Sequence, residues 1–134
     1  MKTVVLCGSR RFKPEIKEFA KRLKKLGVVV YEPYLHSGQD ERVKLSDDYK
    51  KFVALGLTHD HFYKIQMADA VFVFNKDGYA GNSTTLEIGY AVALGKPIYA
   101  LNGDNKELCR HVLFREIIME INFYGIKDFR QKYE

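Results

Sequence analysis

From Ala70 to Phe74 the sequence runs Ala-Val-Phe-Val-Phe, five apolar residues with no polar alternation, closed by Asn75. A strand of that kind is buried on both faces, as in a parallel sheet covered by helices on either side. Three other short apolar runs share its character: Thr3 to Cys7, Val28 to Tyr31 and Ile98 to Leu101. Helical patterns separate them. Pro14 to Leu26 places Ile16, Phe19, Ala20, Leu23 and Leu26 on one stripe, with Pro14 in the first turn and Gly27 as the stop. Pro33 ends the second strand, and Tyr34 to Leu45, with no clear period, reads as a long loop over the ligand side. Ser46 or Asp47 starts a helix that Gly56 interrupts and Thr58 caps again through Met67. Thr84 to Leu94 is a further helix stopped by Gly95, and Asn105 to Glu120 and Ile126 to Lys132 read as helical around a break at Tyr124-Gly125. Strands alternating with helices predict one α/β domain over residues 1–134, with four to five mostly parallel strands joined by right-handed crossovers.

Composition narrows the function classes. No apolar run approaches the roughly 20 residues of a membrane span, and the opening Met-Lys-Thr-Val-Val-Leu-Cys-Gly-Ser-Arg-Arg is too short in apolar residues for a secretion signal. Cys7 and Cys109 stand in unrelated contexts and suit a reducing cytoplasm. The net charge of +5 is concentrated on the polar flanks of the first helix, at Lys17, Lys21, Arg22, Lys24 and Lys25. No motif of a nucleic-acid module accompanies it, so the expected partner is a small molecule, with neither a polymer nor a membrane.

Chemistry is expected where loops leave the carboxyl ends of the strands. In Cys7-Gly-Ser-Arg-Arg-Phe-Lys13, Gly8 and Ser9 can offer N–H groups and a hydroxyl to an anion at a helix start, with Arg10 or Arg11 adding a charged bond. The same residues also make a plain tight turn, and neither GxxxxGK[ST] nor GxGxxG is present. The second loop, Gly78-Tyr-Ala-Gly-Asn-Ser-Thr-Thr-Leu-Glu87, brings a carboxylate into the predicted first turn of its helix. Thr84-x-x-Glu87 matches a capping box, which is one reading of Glu87. The other is a site residue, because Glu87 shares a helix side with Ala91 and Leu94, and Gly81, Asn82 and Ser83 let a ligand approach the backbone. Gly89 costs its helix about 1 kcal/mol relative to Ala, so close packing or a ligand is expected beside it. Tyr90 reads as core or interface. His59, Asp60 and His61 are consecutive, but helical residues two apart diverge, so no metal site is expected from this run. Asp60 or His61 fits better as a polar contact or proton carrier, and Asp69 as a structural residue.

Cys7-Gly-Ser-x-Arg11, Ala68-Asp-Ala-Val-Phe-Val73 and above all Glu87-x-Gly-Tyr-Ala91 followed by Gly95-Lys-Pro97 resemble the nucleoside 2-deoxyribosyltransferase superfamily, which includes small 2′-deoxynucleoside 5′-phosphate N-hydrolases. The resemblance implies a Rossmann-like, flavodoxin-like three-layer sandwich. It implies an enzyme that needs no cofactor and a nucleophile, Glu87, that attacks C1′ of a nucleoside or nucleotide. It further implies that Ser9, Arg11, Asn82 and Ser83 hold sugar or phosphate, that Tyr79 or Phe12 stacks on the base, and that subunits associate. The chain departs from the family pattern in carrying His61 where an aspartate is common and Gly81 where Asp or Ser is common. These departures leave open a non-catalytic nucleotide sensor built on the same fold.

Overall fold

A computed structural model describes residues 3–35 and 45–118. Five strands, β1 (Thr3–Gly8), β2 (Val29–Tyr31), β3 (Ala70–Phe74), β4 (Ile98–Ala100) and β5 (Glu116–Ile117), form one sheet in the order β2-β1-β3-β4-β5. Every pairing is parallel; the longest register runs from Val4 opposite Ala70 to Gly8 opposite Phe74. This is the doubly wound α/β arrangement, with the strand order reversing between β1 and β3.

Strand alternation divides the core. Val4, Leu6, Phe72 and Phe74 pack beneath helix α1 (Lys13–Lys25) through Ile16, Phe19, Ala20 and Leu23. Val5, Cys7, Val71 and Val73 face the other way, against Ile65 of helix α2 (Asp47–Met67) and Ile88 and Ala91 of helix α3 (Asn82–Ala93). Cys7 therefore lies under α2 and α3 because of its parity in β1. Gly8 must be small: a Cβ there would lie 2.8 Å from Ile16 Cδ1 and 3.0 Å from the Phe74 carbonyl. Gly27 and Gly95 end α1 and α3 at positive φ, 84° and 71°, where glycine carries no side-chain penalty. Asp69 accepts hydrogen bonds from the Thr3 N–H at 2.8 Å and its hydroxyl at 3.2 Å, joining the starts of β1 and β3.

Three local expectations are corrected. Helix α2 runs unbroken through Gly56, and the Thr58 hydroxyl donates to the Ala54 carbonyl at 2.7 Å within the helix, so it caps nothing. Helix α3 begins two residues before Thr84, with Gly81 as its N-cap. After Asn105 the described chain holds only a short helix, α4 (Leu108–His111), before β5 extends the sheet. The predicted helix Ile126 to Lys132 and the break at Tyr124-Gly125 lie outside the described residues.

Candidate active site

The loops after β1 and β3 and one wall of α2 enclose a cavity of about 460 Å³ at the carboxyl ends of the strands. That volume is within the range of small-molecule sites. Gly8, Ser9 and Arg10 form one side. Gly81, Asn82, Ser83 and Thr84 form another, and Glu87 with Leu86 completes it. Helix α2 contributes Ala54, Leu57, Thr58, His61 and Phe62, whose spacing of three and four residues puts them on one face. Pro33, Tyr34 and Leu35 close the remaining described part.

The start of α3 gives the cavity its electrostatic character. Gly81 supplies no side-chain cap, and the first turn holds no acidic residue. The leading N–H groups of an α-helix have no intrahelical partner, so those at Asn82 to Thr84 and the positive end of the helix dipole are available to an anion. The capping-box geometry does not form. With Gly81 as N-cap, Glu87 is the sixth helical residue, beyond the first turn in which a carboxylate reaches back to the cap.

Glu87 makes a long-range contact instead. Its Oε2 lies 2.8 Å from Nε2 of His61, with the two side chains only 12% and 10% exposed. The Cys7 sulfur lies 3.3 Å from the same nitrogen. Burial first, and the Glu87 charge second, push the Cys7 thiol well above its ordinary value, so it stays protonated at neutral pH. The other imidazole nitrogen, Nδ1, is buried and has no partner among the described residues. A proton on Nδ1 would lack an acceptor there, so the tautomer protonated at Nε2 fits the site, donating to the Glu87 carboxylate.

The structure brings Gly8, Ser9, His61, Gly81, Asn82, Ser83 and Glu87 together around the cavity. It sends other predicted residues elsewhere. Arg11 lies over the Tyr79 ring, 3.5 Å from its centroid, while Tyr79 meets Phe12 edge-on and Phe12 packs in the α1 core. None of these three lines the cavity: within the short 3-10 turn Arg10–Phe12 the side chains of Arg11 and Phe12 diverge from that of Arg10, and Tyr79 packs against them. Asp60 is exposed and pairs with Lys64 at 2.9 Å, so it too is absent from the lining. His59 packs edge-on to Phe62. Tyr90 stacks on Phe62 at 4.5 Å and receives a short hydrogen bond from Gln66, joining α2 to α3. Gly89 meets nothing within 4 Å among the described residues and is not part of the cavity lining, so the described chain does not supply the close packing that was one of the two reasons expected for it. Among lining residues, sequence reasoning gave no weight to Leu57, Leu86 or Phe62, and it did not see Cys7 beneath the cavity floor. Strand parity was the available signal for Cys7, but its partner is 54 positions away.

No curated protein matches the chain. At 20% identity it superposes with a TM-score of 0.64 on the 2-deoxyribosyltransferase from the psychrotolerant bacterium Bacillus psychrosaccharolyticus, covering 91% of this chain and 89% of that one. A CMP N-glycosidase from Clostridium botulinum aligns over 99% of this chain and 100% of its own, with a TM-score of 0.54 and 20% identity. These likenesses establish the fold. The sequence itself matches the nucleoside 2-deoxyribosyltransferase family over residues 4–130. With nearly its whole length inside that match, the chain belongs to the nucleoside 2-deoxyribosyltransferase family and so to the enzymes that act on N-glycosidic bonds.

Proposed function

We propose that the chain cleaves or transfers the N-glycosidic bond of a deoxynucleoside or nucleoside 5′-monophosphate, with Glu87 as the nucleophile. The observation that carries this reading is the Glu87 carboxylate, on the cavity wall and held through Oε2 by His61 at 2.8 Å. That bond leaves Oε1 to attack C1′. As the C1′–O bond forms, the C1′–N bond breaks, its electron pair passes to the base, and the base takes up a proton from water in the open cavity. The resulting glycosyl ester is resolved by water or by a second base, so one difficult displacement is divided into two.

His61 acts here as a positioning residue. The imidazole fixes the carboxylate through the single contact of Nε2 with Oε2. Asp60, paired with Lys64 and absent from the cavity lining, is assigned no step in this reading. For a 5′-phosphate the supporting features are the uncapped start of α3 at Asn82 and Ser83, the Ser9 hydroxyl and the Arg10 side chain. Arg10 takes the role that the resemblance gave to Arg11. Leu57, Leu86 and Phe62 offer an apolar wall to the base.

A second copy of the chain is the reading for the outer faces of α2 and α3. Phe52, Leu55 and Tyr63 on α2 are each more than half exposed, and Gly89 on α3 meets nothing within 4 Å among the described residues, leaving room for a close approach. Sedimentation equilibrium tests this, and a monomer at tens of micromolar would exclude it. The activity is tested by incubating the protein with deoxynucleosides and monophosphates, with and without an acceptor base, and separating products by chromatography. Base release or exchange that disappears in Glu87→Ala supports the proposal. Tight nucleotide binding without any product would instead mark a sensor.

A further inference from the structure

Cys7, His61 and Glu87 come from three different elements, yet one donor atom of each lies within 4.8 Å of the other two. Together they offer a sulfur, an imidazole nitrogen and a carboxylate oxygen, a donor set that suits Zn²⁺ and its chemical neighbours. We propose that Cys7, His61 and Glu87 form a three-ligand site for Zn²⁺ or a similar thiophilic divalent cation, and that its occupancy blocks glycosyl chemistry. The blocking rests on the reading of Glu87 as nucleophile; the binding does not.

The geometry is close to what such an ion needs. Bonds of about 2.0–2.3 Å in a tetrahedral arrangement separate ligand atoms by roughly 3.3–3.8 Å. The present separations are 2.8 Å between His61 and Glu87 and 3.3 Å between Cys7 and His61. Side-chain shifts on the order of an ångström or less accommodate the ion. His61 and Glu87 both line the cavity, so its water can complete the coordination. The thiol proton passes to solvent as the metal–sulfur bond forms, and the imidazole proton moves through solvent from Nε2 to Nδ1. Nδ1 has no acceptor among the described residues, so the cost of placing the proton there is set against the metal–nitrogen bond gained at Nε2. The bond given up is His61 to Glu87, whose two atoms both become ligands. A cation bound at Oε2 draws charge from the carboxylate whose Oε1 would attack C1′, and it stands with its water at the cavity wall that the sugar must approach, which is why occupancy and turnover oppose one another. Mg²⁺, which prefers oxygen ligands, is not expected to compete.

Co²⁺ is the spectroscopic probe, used with Cys109→Ser protein so that the exposed thiol does not contribute. One equivalent is expected to produce tetrahedral d–d bands and a near-ultraviolet thiolate-to-metal band, displaced by stoichiometric Zn²⁺ and not by Mg²⁺. The thiolate band should vanish when Cys7→Ser or Cys7→Ala is added, with folding verified by circular dichroism. Affinity should fall at least tenfold in His61→Leu. Base release should decline in proportion to bound Zn²⁺ and return with a chelator. Absence of the thiolate band from folded Cys109→Ser protein, or its persistence in both folded Cys7 variants, overturns the site. Full activity at full Zn²⁺ occupancy overturns the blocking. In a protein that releases no base at all, the Co²⁺ spectrum still decides the metal site.

Discussion

Replacing His61 with Leu removes the hydrogen bond to Glu87 Oε2 while keeping an apolar side chain in a position only 8% exposed. The bond is 2.8 Å long and its acceptor is a carboxylate, a class worth about 1.5–3 kcal/mol. If that free energy acts in orienting the nucleophile, the loss appears in the barrier, and about 1.4 kcal/mol corresponds to tenfold in rate. His61→Leu is therefore predicted to lower kcat by roughly ten- to a hundredfold with KM little changed. His61→Gln, whose amide N–H can reach toward the same oxygen, should recover part of the loss. The assay is steady-state release of the base, followed by chromatography, on variants whose folding matches the parent by circular dichroism. An undiminished kcat in His61→Leu, or a loss confined to KM, refutes the positioning role. A Gln variant no better than Leu refutes the hydrogen bond as its cause.

Arg10→Ala is predicted to raise KM for a 5′-monophosphate about tenfold, the scale of one charge-assisted bond, and to leave the unphosphorylated nucleoside unaffected. Arg11→Ala, which removes a residue seated on Tyr79, should leave both KM values unchanged; steady-state kinetics on the two substrates decides. Asp104 tests the polar network beside β4. Burial opposes its ionisation, but hydrogen bonds from Arg110 at 2.5 Å and from the Glu107 and Lys106 N–H groups outweigh that effect and hold its carboxyl below the ordinary value. A depressed folded value means that its contribution is complete above the unfolded carboxyl value of about 3.9 and is lost as pH falls through the lower folded value. Asp104→Ala, which strands the largely buried Arg110, should cost about 3 kcal/mol at pH 7, with the gap from the parent closing below pH 4 in denaturant titrations. Gly89→Ala should raise helix stability by up to about 1 kcal/mol in an isolated subunit, since the added methyl meets open space. It should weaken self-association in sedimentation if a second copy packs there, and an unchanged association constant would argue against that contact.

Much of the fold was legible because its signals are local. Ala70 to Phe74 could only be a strand covered on both sides, and the stripe from Ile16 to Leu23 specified the core face of α1. The errors came where tertiary context outweighed a local cue. Gly56 costs a helix about 1 kcal/mol, too little to break α2 once His61 and Ile65 are buried in the same helix. Gly81 in an extended conformation starts α3 two residues before Thr84, so the apparent capping box was out of register. The two-residue strand β5 lies in a segment whose apolar spacing reads equally well as helical, and its pairing with Tyr99 and Ala100 is nonlocal. In the site, Glu87 and the Gly81–Ser83 approach were readable from the loop. That Arg10 and not Arg11 lines the cavity was not, because it depends on the direction of a three-residue turn. The contact of Cys7 with His61 and Glu87 was hidden for a different reason: each residue looks ordinary within its own element, and only the order of the strands brings them together.

The central claim is that Glu87 bonds covalently to C1′. Rapid quenching of the enzyme with a deoxynucleoside 5′-monophosphate, followed by proteolysis and mass spectrometry, tests it directly. A sugar-phosphate adduct is expected on the peptide that contains Glu87, with neither adduct nor base release in Glu87→Gln. Base release at the parent rate in Glu87→Gln, or an adduct on a different residue, would contradict it.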